Sequence, residues 1–268
     1  VTVRAPLVRS TVNGVSSLAA ARPARARLGR WPYDDHVAHL VLLDHHMVPT
    51  GADIEAWIAD AAATGARAVR TGALFPNASD PFLRSGFDVA DTLILLQRAV
   101  PQPSPAAVPT AGSATTRPTT TRPTTRRGGG ARLRRLRPSM LHEAAEIDRR
   151  SFSSPWANDS SALAEIMTAT PHHRSRSVHL DGRMVAFAIS GRAETSGYVQ
   201  RLAVDPSARR RGFARLLLDD ALHWMARRAV THALVNTAAD NVSALRLYES
   251  AGFERRPGAL LILERTLR

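Results

Sequence analysis

Leu202-Ala203-Val204-Asp205-Pro206-Ser207-Ala208-Arg209-Arg210-Arg211-Gly212-Phe213-Ala214-Arg215 passes in fourteen residues from an apolar strand, through a break, to the start of a helix. Asp205-Pro206 stops the strand, because Pro lacks an amide donor and restrains the residue before it. An amphipathic pattern then runs from Phe213 to Ala229. A strand–loop–helix of this kind turns the free amides of the first helical turn outward, at the positive end of the helix dipole, where phosphates bind. Gly212 and Ala214 leave room for a pyrophosphate to approach the backbone. Arg209, Arg210 and Arg211 add charge, and Arg grips phosphate as a fork. Read alone, the segment is more readily an Arg-rich loop in an Arg-rich chain.

The surrounding sequence alternates strand and helix signals. Leu141–Arg150 and Ser161–Thr168 read as amphipathic helices. Ser177–Leu180 and Met184–Ser190 flank Asp181-Gly182, a hairpin turn. Tyr198–Val204 and His232–Thr237 read as strands, Val242–Ser250 as a helix ending before Gly252, and Ala259–Leu263 as a last strand. The pattern predicts an α/β (α+β) domain with a mixed sheet flanked by helices.

The order of motifs resembles the GNAT acetyltransferase superfamily. Arg209-x-x-Gly212-x-Ala214 after a strand is similar to its phosphate-loop signature. Asn241-Val242-Ser243-Ala244-Leu245-Arg246-Leu247-Tyr248-Glu249-Ser250-Ala251-Gly252-Phe253 resembles its second motif. Phe152-Ser153-Ser154-Pro155-Trp156 and Met184–Ile189 are similar to the branch containing the ribosomal-protein alanine N-acetyltransferases. The resemblance implies a splayed central sheet and acetyl-CoA as co-substrate, with no metal. It places the pantetheine arm against the backbone of Leu202, Ala203 and Val204, the pyrophosphate on the amides from Arg210 through Arg211, Gly212, Phe213 and Ala214 to Arg215, and a further CoA contact at Asn241. Tyr248 matches the acid that protonates the departing thiolate; as a phenol of ordinary pKa ~10 it is protonated at neutral pH. Apart from the motif, Tyr248 also reads as a core residue on an apolar helix face, and Asn241 as an N-cap. The branch's Glu on the preceding strand falls on Asn236, which is no base, while Glu194 and His232 read as a solvated loop residue and a strand-end residue. The acceptor implied is a primary amine, on a small molecule or a protein N-terminus. A CoA-binding or protein-interaction module that has lost catalysis is the rival reading.

The 268-residue chain has room for a second unit before this one. Residues 101–130 are Pro, Thr, Ser and Arg with little to bury, and read as a disordered linker between an N-terminal unit, 1–100, and the GNAT-like unit, 131–268. Sliding the chain by 166 residues aligns Val69 with Val235, Thr71 with Thr237, Gly86 with Gly252 and Phe87 with Phe253, and lays Leu93–Leu96 on Ala259–Ile262. The N-terminal unit therefore reads as a degenerate GNAT-like repeat. The same offset puts Phe75 and Phe82 at the places of Asn241 and Tyr248; lining up Asp44 with Asp205 instead puts Gly51 on Gly212, where Pro49 and Asp53 spoil a phosphate loop. Trp57, Ile54 and Ile58 are expected on the buried face of its first helix. Only about fifty residues precede that helix, too few for a full first half of the fold. Every phosphate-loop element follows residue 131, so the second unit is expected to bind acetyl-CoA alone.

All 36 basic residues are Arg, which points to codon choice, and the net charge of +13 falls mostly after residue 131 and in the linker. A solvated Arg-rich surface is favoured over a nucleic-acid partner. With no Cys, thiolate chemistry and Cys-based zinc sites are excluded. His36, His39, His45 and His46 read as surface or strand-end residues. No apolar run approaches the ~18 residues of a membrane span, and the first thirty residues show no signal-peptide core. A cytoplasmic setting is the expectation; oligomeric state is not legible.

Overall fold

The structure, a computed structural model, describes residues 24–43, 47–101, 131–152 and 155–267. The linker and His45 and His46 lie outside the described residues. The chain before the linker forms β1 (Ala26–Trp31), β2 (Asp34–Leu42), α1 (Gly51–Ala63), β3 (Ala68–Thr71), α2 (Pro76–Arg84) and β4 (Asp88–Ala99). After it come β5 (Arg132–Arg135), α3 (Leu141–Ser151), α4 (Ser160–Thr168), β6 (His172–Leu180), β7 (Arg183–Ala193), β8 (Ser196–Val204), α5 (Phe213–Ala226), β9 (His232–Ala238), α6 (Val242–Ser250) and β10 (Glu254–Thr266). The 166-residue offset carries α2 onto α6 from end to end. Gly86 and Gly252, after the two helices, share a left-handed φ of 77° and 80°, which glycine adopts without a Cβ penalty.

The two units do not build separate sheets. All ten strands lie in one sheet, in the order β1-β2-β3-β10-β4-β9-β8-β7-β6-β5. Each unit gives its last strand to the other: β10 pairs with β3, and β4 pairs with β9. The two exchanged strands meet as antiparallel neighbours, Leu93 opposite Leu260 and Asp91 opposite Ile262. The exchange is reciprocal down to helix ends. Arg98 of β4 donates to the Ala251 carbonyl after α6, and Arg265 of β10 donates to the Ser85 carbonyl after α2, each placing a cation at a helix C-terminus. The cores are mixed accordingly: Leu96 and Val100 pack with α5 and α6, while Leu263 packs with α1 and α2. The second unit is thus completed by a strand from before the linker, and the expectation that it binds alone has to be revised.

Alpha helices α1, α2, α5 and α6 cover one face of the sheet. Ile54 and Ile58 are buried there as expected, with Trp57 stacked against Phe82. On the opposite face α3 and α4 pack on β7 and β8 through Leu163, Met184, Phe187 and Ala203. No helix among the described residues before the linker does the same for β2 and β3, so much of that face is bare. In a flat sheet β1 and β8 would stand roughly 30 Å apart, six strand spacings. Instead, the indole of Trp31 in β1 donates to the Pro155 carbonyl at 2.9 Å, and its ring meets Trp156 edge-on at 5.7 Å. Arg30 pairs with Asp159 and Arg27 with Glu165 of α4, at 2.7 and 2.9 Å. The sheet therefore curves until its first strand touches the α3–α4 connection, enclosing a cleft. No helix among the described residues is long and apolar enough to cross a membrane.

Candidate active site

Strands β8 and β9 run parallel and pair only from Ser196–Tyr198 to His232–Leu234. Beyond that they part, and a cleft of about 1370 Å³ opens along the gap. The register of β8 on β7 slips between Ile189 and Ser190, leaving Gln200 as the extra residue, a bulge that sharpens the strand's twist. Leu202, Ala203 and Val204 stay paired to β7, so their other edge has no strand partner. An extended ligand arm can pair there. The Val204 carbonyl is already taken by the Ser151 hydroxyl at 3.0 Å, which leaves the Val204 amide and the backbone groups of Leu202 for such pairing.

Past Val204, Asp205 accepts from the Ser207 amide and hydroxyl and pairs with Arg150 at 2.9 Å. Burial pushes its carboxyl up, but these donors outweigh it and hold the pKa below the usual range. The loop is thereby pinned to α3. Arg210 takes a left-handed φ of 63° and Gly212 one of 82°, the latter as N-cap of α5 with no side-chain cap bond. A Cβ at Gly212 would meet no protein atom within 4 Å. The first turn of α5 thus presents unshielded amides to open space, the arrangement that holds an anion.

Leu202, Ala203, Val204, Arg209, Arg210, Gly212, Phe213, Ala214, Arg215, Asn241 and Tyr248 all line this one cleft. Arg211 does not; its guanidinium turns over the Phe213 ring, 5.4 Å away. Asn241 caps α6, its Oδ1 accepting from the Ala244 amide at 3.1 Å, so its N-cap role is directly visible. Tyr248 lies at the cleft's edge and in the core with Phe253. Its hydroxyl has no hydrogen-bond partner among the described residues. Burial pushes its pKa up to about 12, against a small lowering from Arg201, so it remains a proton donor at any working pH. Asn236 lines the cleft where a carboxylate was expected. Glu194, in a turn, and His232, at the start of β9, lie at the far end of the strands and do not line it.

No motif or spacing in the sequence pointed to the cleft's other wall. Arg27, Arg30, Trp31, His39, Asp91 and Glu165 line it, most of them from before the linker. His39 is half-buried in the middle of β2, not at a strand end: burial, helped by Arg27, lowers its pKa to about 4. The frame between the walls is a buried ion pair. Asp148, fully buried, takes both forks of Arg201 at 2.6 and 2.7 Å, and the guanidinium lies 3.5 Å from the Phe152 ring centre. No group of His, Asp or Glu among the described residues is arranged to hold a metal ion.

Residues 141–253 match the acetyltransferase (GNAT) family. The [ribosomal protein bS18]-alanine N-acetyltransferase of Salmonella typhimurium is 32% identical over 117 residues, 42% of this chain and 74% of that protein. The N-alpha-acetyltransferase RimI of Mycobacterium tuberculosis is 36% identical over 117 residues, 41% and 70% of the two chains. At the level of fold alone, a tandem GNAT protein from the clavulanic acid biosynthesis pathway superposes with a TM-score of 0.58 at 13% identity, covering 91% of this chain and 79% of that one.

Proposed function

Because the chain belongs to the acetyltransferase (GNAT) family, we propose that it transfers an acetyl group from acetyl-CoA to a primary amine, of a small molecule or a protein N-terminus, by direct attack. The observation that carries this reading is the uncapped N-terminus of α5, opening beside the unpaired edge of β8 in one cleft. The amides from Arg210 to Arg215 hold the pyrophosphate, with Arg209 and Arg210 adding charge. The pantetheine arm lies along Leu202 and Val204, and an amide of that edge receives the carbonyl oxygen as charge develops on it. The amine nitrogen bonds to the carbonyl carbon, and the carbon–sulfur bond then breaks. The leaving sulfur takes its proton from Tyr248, and the new ammonium loses one to water. Asn236 cannot serve as base; an α-amino group of pKa ~7.7–8.0 is partly neutral at physiological pH, whereas an alkylamine near ~10.4 must lose a proton before it attacks. Residues 131–268 carry this chemistry, residues 1–100 are a degenerate repeat, and 101–130 link them; the absence of Cys suits a cytoplasmic setting.

Calorimetry with acetyl-CoA on the full chain tests the reading. Gly212→Val forces a β-branched residue into left-handed backbone and fills the phosphates' approach, so affinity should drop by about 100-fold or more. Unchanged affinity would put the site elsewhere. Acetyl-CoA binding without CoA release over a broad panel of amines would favour a binding module instead.

A further inference from the structure

The sheet face left bare before the linker forms a floor beyond the β8–β9 gap. His39 and Val41 of β2, Asp91 and Leu93 of β4 and Ile262 of β10 lie on it. Cross-strand register places the last three on one face: Asp91 is opposite Ile262, and Leu93 is opposite Ala238 of β9. Ile166 and Glu165 of α4 stand above. At the far end the Arg27–Glu165 and Arg30–Asp159 pairs and the Trp31–Pro155 hydrogen bond join β1 to the α3–α4 region. These contacts bridge the cleft at that end.

We infer that this pocket, built largely from the degenerate unit, binds the acceptor, and that the acceptor is a small primary ammonium on an apolar body with no carboxylate beside it. The inference rests on the acetyltransferase reading above and adds the substrate class. Val41, Leu93, Ile262 and Ile166 offer an apolar bed. The charges around it favour a cation. Arg27 and Arg30 are both consumed in ion pairs, Arg30 with Asp35 as well as Asp159. Asp91 has no ion-pair partner among the described residues; its one hydrogen bond comes from the adjacent Thr92 amide at 2.7 Å. Its remaining lone pairs are available to an ammonium. His39 is neutral at physiological pH because its pKa sits at about 4, and so adds no repulsion. A carboxylate on the ligand would meet Asp91 and find no free cation at this end.

Calorimetry on the full chain, with and without saturating CoA, against 2-phenylethylamine and phenylalanine separates the possibilities. These probes share an amine and a ring and differ by a carboxylate. The amine should bind about tenfold more tightly than the amino acid. Asp91→Asn, equal in volume, should bring the two within about twofold by weakening the amine, with CoA affinity unchanged. Val41→Trp, which fills the pocket, should remove amine binding and keep CoA binding. Equal binding of both probes by the wild type, a ratio unmoved by Asp91→Asn, or tighter binding of the peptide Phe-Gly-Gly would each overturn the inference. Failure to bind CoA would count against the acetyltransferase reading, while the amine preference measured without CoA still judges the pocket.

Discussion

Helices α1 and α5 begin at equivalent points of two related units, and their first turns have opposite fates. At α1, Thr50 is the N-cap. Its hydroxyl accepts from the Asp53 amide at 3.2 Å, and Asp53 accepts in return from the Thr50 amide at 2.8 Å. This capping box satisfies the orphan amides from within and places a carboxylate where an anion would sit. The structure puts Thr50, not the neighbouring Gly51, at the place of Gly212. At α5 nothing plays that part. The same division recurs at the following helix, where fully buried Phe82 faces one core and Tyr248, with its hydroxyl, faces the other. A helix start can receive an anion only where the chain withholds its own cap; α5 has withheld it, and α1 has not.

The contrast can be broken at several points. The largest effect should come from severing the units. Residues 131–268 alone lack β4 between β9 and β10, and should fail to fold or to bind acetyl-CoA, as circular dichroism and calorimetry would show. A folded, CoA-binding fragment would mean the exchange is dispensable. Next, Tyr248→Phe should lower kcat by ~10²–10⁴-fold with acetyl-CoA affinity nearly unchanged, the contribution typical of a general acid. Wild-type turnover across the pH range would leave Tyr248 a packing residue like Phe82.

The third effect belongs to the degenerate unit. His39 keeps a pKa of about 4 in the fold, whereas in the unfolded chain it protonates near ~6.5. Between those values the unfolded state binds more protons. Stability contributed by neutral His39 is therefore complete above ~6.5 and is lost as pH falls toward 4, by on the order of 3 kcal/mol. His39→Gln should flatten that part of a Tm-against-pH curve; an unaltered slope would assign the acid sensitivity elsewhere. The smallest effect is the sharpest on the comparison itself. Asp53→Ala should cost ~1 kcal/mol of stability through the lost cap and still leave one CoA equivalent bound per chain. A second equivalent would show that the capping box alone had closed a working site.

Helix α6 was legible to its ends because Asn241 caps it and Gly252 stops it, both local signals. The Asp181-Gly182 hairpin was equally plain, with φ of 50° and 84° at its two positions. Strand β1 was not, since Ala26–Trp31 mixes Arg and Gly without alternation. Helix α2 hides behind Pro76 and Pro81, the latter inside it. The residues of the phosphate loop could be named because their chemistry sits in one segment. The cleft's opposite wall could not: His39, Asp91 and Glu165 come from three elements and meet only because the sheet curves. Nor does any pattern in Leu93–Leu96 say which neighbour the strand will choose, since an apolar strand pairs as well with one unit as with the other.

The exchanged strands also set a timetable. A ribosome delivers β3 long before β10, yet β3 finds its antiparallel neighbour only when the thirteen residues of β10 arrive. Until then β3 and β4 each wait with an open edge, the condition in which strands are most easily captured by other chains. Pairings between residues as far apart as Arg70 and Glu264 close very large loops, which slows folding. Synthesis at a normal pace therefore leaves the first unit unfinished through most of the time the second is being made, and its maturation becomes a single late event.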